Sequence, residues 1–234
     1  RGPDSNGKWS SDDRTIAMGH RRLSIVDLSS AGCQPMQDKI KRLTIVFNGE
    51  IYNHRELRKE LSTLGYCFKS NSDTEVLLAA YSVWESKCLL KLNGMFAFAI
   101  YDEKRKKLFA ARDRAGEKPF FYHYANEILR FGSELKSLLT DNKISRQLDI
   151  NALNNYLAFG YTPSEFSMIN GFKKLLPGHA LEFSQNTNNL KTWRYWNPIR
   201  IDLQQSNSIY NESDILTELD ELLSDAVFNQ LEAD

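Results

Sequence analysis

Gly94-Met-Phe-Ala-Phe-Ala-Ile-Tyr101 is the stretch on which the fold turns. A strand with one face in water alternates apolar and polar residues, because successive side chains point to opposite faces. From Met95 to Tyr101 there is no such alternation, so the run predicts a strand buried on both faces. A strand of that kind needs material above and below it. The segments on either side supply it. Downstream, Lys107 to Ala111 and Ile128 to Phe131 read as further short strands. Between them Arg112-Asp-Arg-Ala-Gly-Glu-Lys-Pro119 is a charged turn that leads into Phe120-Phe-Tyr122. Upstream, Thr15 to Met18 and Lys41 to Phe47 read as strands, separated by loop composition at Leu28-Ser-Ser-Ala-Gly32.

Helix starts are marked by capping boxes. Asn53 is followed three residues later by Glu56, ahead of Leu57, Leu61 and Leu64, with Gly65 as a C-cap. Ser72 is followed by Glu75, ahead of Val76, Leu77, Ala80 and Tyr81. A short helix is expected from Glu134 to Leu139, and another capped by Asp149 through Phe159. Leu176-Pro-Gly-His179 predicts a turn into a strand from Ala180 to Phe183, and Ser184 to Asn189 a hairpin tip. Many short strands with few long helices make the main domain α+β, its sheets packed under helices. After Trp196-Asn-Pro198 the pattern changes. Residues 199–212 read as a linker, and 213–234 as one helix, capped by Ser213, with Ile215, Leu216, Leu219, Leu222, Leu223, Val227 and Leu231 along it.

Composition excludes several classes. The chain is 41% hydrophobic, enough for a core, and thirty basic residues balance thirty acidic ones. A neutral chain lacks the basic excess of a nucleic-acid binder. No run approaches a membrane span. Three cysteines are too few for a disulfide framework, which predicts a reducing compartment and a cytoplasmic protein. His20, His54, His123 and His179 are too scattered to suggest a metal, and phosphate-loop, His-Glu-x-x-His and Cys-x-x-Cys patterns are absent. Cys67, which alternates with Tyr66 and Phe68 at an expected strand start, and Cys88, on a helical stripe, read as small buried hydrophobes. Cys33, in a loop, has nothing nearby that marks a nucleophile.

Three polar clusters remain. Arg22 closes Gly19-His-Arg-Arg22 at a strand end, where a guanidinium fork suits a carboxylate but equally a surface ion pair. Asn48-Gly49 follows a buried strand; it is an ordinary turn signal, or an amide beside an unencumbered N–H, the donors of an oxyanion hole. Asp73 stands in a first helical turn, explained by the helix dipole or by a substrate.

Taken in order with Arg1-Gly-Pro-Asp4, Gly19-His-Arg-Arg-Leu-Ser-Ile-Val-Asp27, Ala31-Gly-Cys-Gln-Pro-Met36, Asn48-Gly-Glu-Ile-Tyr-Asn53, Ser72-Asp-Thr-Glu-Val76, Ala111-Arg-Asp-Arg114, Gly132-Ser-Glu-Leu-Lys136 and Leu175-Leu-Pro-Gly-His179, these clusters resemble one family. It is the class II, N-terminal-nucleophile glutamine amidotransferase domain of glutamine-hydrolysing asparagine synthetases. The resemblance implies a four-layer αββα sandwich of Ntn-hydrolase type over residues 1–198. It implies that Arg22 holds the α-carboxylate of L-glutamine, Asp73 its α-ammonium, Asn48 and Gly49 the oxyanion, and that Glu50 lines the pocket. It also implies an N-terminal cysteine as nucleophile. Residue 1 here matches a motif that follows that cysteine, so the expectation is that the nucleophile and first strand lie upstream, and that the chain as given is inactive. No cofactor is expected in this domain. ATP and Mg are expected in an attached synthetase domain, of which the last helix would be the first piece; a homodimer is a further expectation. The competing expectation is a glutamine-sensing or scaffolding domain without catalysis.

Overall fold

The computed structural model describes residues 2–23, 27, 29–198 and 211–231. The chain runs through β1 (Ser5–Ser10), β2 (Ala17–Arg22), β3 (Met36–Asp38), β4 (Leu43–Ile51), α1 (His54–Thr63), α2 (Asp73–Trp84) and β5 (Gly94–Asp102). It continues through β6 (Lys107–Arg112), β7 (Phe121–Ala125), β8 (Ile128–Gly132), α3 (Leu135–Leu138) and α4 (Ile150–Phe159). Then follow β9 (Phe172–Lys174), β10 (His179–Ser184), β11 (Asn189–Arg194) and α5 (Glu212–Gln230).

The unbroken apolar run becomes β5, in the interior of a six-stranded antiparallel sheet of order β11-β10-β6-β5-β4-β3. Its two faces serve two cores. Phe96, Phe98 and Ile100 point into a core shared with α1 and α2, where Leu57, Leu61, Val76, Leu77 and Leu78 meet Ile45 and Phe47 of β4. Ala97, Ala99 and Tyr101 point the other way, into a core with Met18, Phe120, Tyr122 and Leu175. That second core is closed by the three-stranded sheet β8-β7-β9 and the two-stranded sheet β1-β2. Each large side chain so buried contributes about 1.5–3 kcal/mol. Helices, sheet, sheet and the α3 side give the αββα layering.

Several local expectations shift. The strand expected at Thr15 to Met18 begins instead at Ala17, because Ser11 to Ile16 close a turn in which the Ile16 and Thr15 N–H groups donate to Ser11 Oγ and to Asp13 at 3.0 and 3.2 Å. Asn53 precedes α1 but does not cap it with its side chain. Its amide is drawn to the segment before β5, donating to the Lys91 carbonyl at 2.9 Å and accepting from the Asn93 N–H at 3.0 Å. The end of α1 is as expected: Gly65 adopts φ 88°, and the Tyr66 N–H reaches back to the Leu61 carbonyl at 3.0 Å. Ser72 does cap α2, accepting from the Thr74 N–H at 3.1 Å. Glu75 reaches past the cap to the N–H groups of Lys69 and Ser70 at 2.9 and 2.7 Å. Asp149 caps α4 through the Ala152 N–H at 3.0 Å.

Cys67 is not in a strand and is exposed, as is Cys33; the Tyr66 and Phe68 rings meet at a tilt of 51° and pack on the helical core, turning the cysteine between them outward. Cys88 is fully buried, as read. The last helix is capped by Asn211, whose side chain accepts from the Ser213 N–H at 3.2 Å, rather than by Ser213. Its apolar residues from Ile215 to Leu231 are exposed. The expected linker 199–212 lies outside the described residues except for 211 and 212, as do 24–26 of the apolar segment after Arg22.

Candidate active site

Beyond Ile45 the strand β4 loses its outer neighbour, because β3 pairs only as far as Met36 with Ile45. Residues 46–51 are therefore a sheet edge, and N–H groups directed away from β5 must find other acceptors. Alternate residues direct them outward. The Phe47 N–H donates to Gln34 Oε1 at 2.6 Å, and the Ile51 N–H to Asp73 Oδ2 at 3.0 Å. Gly49 lies between them in the same phase. Its partner Phe96 turns its own N–H and carbonyl the other way, to Asp113 at 3.2 and 2.8 Å. The Gly49 N–H thus points outward, and the described residues provide no acceptor for it.

The Asn-Gly pair is consequently no turn but part of β4 itself. Glycine is required there because a Cβ would run into the Met95 carbonyl and come within 2.7 Å of Phe96 Cα. The two-residue period places the Asn48 and Glu50 side chains on the face opposite to Phe47 and Ile51. No hydrogen bond from the Asn48 amide to another described residue is formed. His20 of β2 completes the edge, its Nε2 lying 3.0 Å from the Phe47 carbonyl. Burial and the nearby Arg22 charge lower the His20 pKa, against the opposing effect of the Phe47 contact.

Arg22 ends β2 and is 7% exposed. Its guanidinium donates to the carbonyls of Ser29, at 3.1 Å, and Asp27, and it lies so close over Gly32 that a Cβ there would collide with it. Asp27 ties this loop to the segment before α2, accepting from the Asn71 N–H at 2.9 Å. Asp73, the first residue of α2, is 6% exposed. Burial pushes its carboxyl above the ordinary range, a rise that the Ile51 hydrogen bond and the neighbouring His54 only partly offset.

Arg22, Asn48, Gly49, Glu50 and Asp73 all line one cavity of about 880 Å³. Gln34, Ser72, Lys118 and Glu134 line it as well, and sequence reasoning had not singled them out. Ser72 was read only as a cap; Gln34 lay within a quoted motif, but nothing in its spacing pointed to β4. None of the cysteines lines the cavity, and burial drives the Cys88 thiol up to about 12. Among the described residues no group of three or more His, Cys, Asp or Glu could hold a metal ion. The cavity thus presents a guanidinium, a buried carboxylate, and a backbone N–H beside a side-chain amide.

The glutamine amidotransferase domain family matches residues 1–196 of this sequence. The chain belongs to that family. This amidotransferase chain is 41% identical over 239 residues to asparagine synthetase [glutamine-hydrolyzing] 3 of Bacillus subtilis, covering 100% of the chain and 37% of that protein. It is 34% identical over 252 residues to a putative asparagine synthetase [glutamine-hydrolyzing] 2 of Methanocaldococcus jannaschii, covering 100% of the chain and 47% of the relative. It thus spans less than half the length of these relatives. Among solved structures, the glutamine phosphoribosylpyrophosphate amidotransferase of B. subtilis superposes with a TM-score of 0.54 at 21% identity, over 78% of this chain and 35% of that one. That likeness bears on the fold, and it agrees with the Ntn-hydrolase type expected.

Proposed function

We propose that this chain is the glutamine-hydrolysing part of an asparagine synthetase, releasing ammonia from L-glutamine for the ATP-dependent amidation of aspartate. The observation that carries the reading is the edge of β4. Three outward N–H groups stand in a row, the outer two are occupied by Gln34 and Asp73, and the middle one faces a cavity holding Arg22 and Asp73.

Glutamine's amide is chemically the amide of any exposed Gln side chain, so recognition must come from its α-carboxylate and α-ammonium. Arg22 answers the first with a planar fork, and Asp73 the second with a carboxylate already stripped of water. A cysteine thiolate attacks the amide carbon; the oxyanion is received by the Asn48 side-chain amide and the Gly49 N–H. Ammonia leaves, and water releases glutamate from the thioester. Cys33, Cys67 and Cys88 do not line the cavity, so the reading assigns the thiol to a residue outside 1–234. ATP and Mg would be held by a synthetase domain in the same polypeptide, reached through 199–212 and beginning with the 213–234 segment. We take the protein to be cytoplasmic, which the exposed thiols Cys33 and Cys67 support, and to be a candidate for homodimer formation.

The test separates the two half-reactions in the full-length protein. Asn48→Ala should abolish most glutamine-dependent asparagine synthesis and leave ammonia-dependent synthesis intact. Equal loss of both would refute the assignment. Glutamine binding with no turnover in the parent protein would show a sensor instead.

A further inference from the structure

The edge of β4 is organised by a residue that the proposed chemistry does not use. Gln34 lies in the loop between β2 and β3 and is 9% exposed. Its Oε1 accepts from the Phe47 N–H at 2.6 Å, and its Nε2 donates to Thr74 Oγ1 at 3.3 Å. One amide therefore ties the strand that carries Asn48 and Gly49 to the helix turn that carries Asp73. Its backbone is seated tightly, because a Cβ at Gly7 of β1 would collide with the Gln34 carbonyl. The other end of the edge is held by Asp73 itself, on Ile51.

We infer that Gln34 is a positioning residue of the glutaminase site, which reserves the Gly49 N–H for the oxyanion by occupying the neighbouring Phe47 N–H and fixing β4 against α2. This rests on the glutaminase reading above. The physical reason is competition. Without Gln34, two unoccupied N–H groups two residues apart would face the same cavity, and water on the Phe47 N–H would pull the strand edge out of line. A buried donor does not stay unpaired without cost. Displacing catalytic groups by about 1 Å can cost as much as 10²-fold in rate. Both polar atoms of the Gln34 amide are taken up by the Phe47 N–H and Thr74 Oγ1, so its loss acts through the strand and should fall on kcat.

In the full-length protein, Gln34→Met, which keeps the volume and removes both hydrogen-bonding groups, should lower kcat for glutamine hydrolysis by about 10- to 100-fold. KM should change by less than about threefold, and ammonia-dependent synthesis should stay at the parent value. Amide exchange followed residue by residue should show Phe47 protected in the parent protein and fast in the variant; Gly49 should be fast in both and slowed by L-glutamate in the parent alone. Thr74→Val, which frees only one end of the bracket, is the milder variant and decides the matter if Gln34→Met does not fold. It should lower kcat by about threefold, and less than that when added to Gln34→Met, because the two act through one link. Unchanged kcat in a folded Gln34→Met variant would overturn the inference, as would a parallel fall in glutamine- and ammonia-dependent synthesis. If Asn48→Ala also left hydrolysis untouched, the glutaminase site itself would be wrong; if only Gln34→Met did so, the error would lie with Gln34 alone.

Discussion

Replacing Asp73 by Asn should stabilise the protein and cripple its binding of glutamine, and pH should reveal both. Asp73 is 6% exposed, and one of its oxygens accepts from the Ile51 N–H at 3.0 Å. Burial holds its carboxyl above the unfolded value, with Glu50 adding in the same direction. The folded state therefore binds this proton more tightly than the unfolded chain. The stability Asp73 contributes is fully present below the unfolded value of ~3.9 and is lost as pH rises through the higher folded one. Asparagine has no such proton, can still accept from Ile51, and forfeits only a helix-dipole contribution of ~0.3–1 kcal/mol. At pH 7 the variant should be more stable than the parent and melt at a higher Tm, because it no longer carries a buried charge there. The difference should vanish toward pH 3.5.

Binding should move the other way. The α-ammonium of glutamine supplies the cation that a desolvated carboxylate needs, and a hydrogen bond of this type is worth ~1.5–3 kcal/mol. KM should rise roughly 10- to 150-fold with kcat changed much less. Thermal unfolding from pH 3.5 to 8 and glutamine kinetics on the same variant check both halves. 4-Carbamoylbutyrate, which is glutamine without its ammonium, should be equally poor for parent and variant. A variant whose stability relative to the parent did not change between pH 3.5 and 7 would refute the buried-charge argument for Asp73. Equal losses on glutamine and on the des-amino substrate would refute the contact to ammonium.

Asn48→Ala should lower kcat for glutamine hydrolysis by roughly 10²–10³ with little change in glutamine affinity measured on a nucleophile-blocked protein. Gly49→Ala should destabilise the fold by about 3 kcal/mol or abolish it, since its Cβ would run into the backbone of β5; chemical denaturation reads this, and a cost under about 1 kcal/mol would contradict the strand geometry. Arg22→Ala should raise KM for glutamine roughly 10- to 150-fold but leave glutaminamide, which lacks the carboxylate, almost as good as for the parent; Arg22→Lys should recover only part, because an ammonium cannot reproduce the fork. Alanine at Cys33, Cys67 and Cys88 in turn should leave kcat of the full-length protein unchanged, and loss of turnover at any of them would overturn the assignment of the nucleophile.

The sequence by itself determined the frame. An apolar run that does not alternate, from Met95 to Tyr101, can be satisfied only with cover on both faces, so two cores were implicit in one strand. Ser72, Asp149 and Gly65 marked helix ends because their capping is local chemistry. The ordered motifs likewise brought Arg22, Asn48, Gly49, Glu50 and Asp73 forward before any geometry was known. What local chemistry could not decide was competition from distant groups. Asn53 has the spacing of a cap, yet its amide serves Lys91 and Asn93, which are some forty positions away along the chain. Cys67 sits in an alternating pattern, but two aromatic neighbours take the core and leave it outside. Asn48-Gly49 reads as a turn signal or as a donor pair after the strand, and its place inside β4 is decided by the pairing with Met95 and Phe96, which close over the glycine. Which N–H faces the cavity depends on where β3 stops and on which side chains reach the exposed edge; those are Gln34 and Asp73, thirteen and twenty-two residues from the amides they occupy. A hydrogen bond across such a distance leaves no periodicity in a sequence, because its geometry exists only once the sheet and α2 have packed.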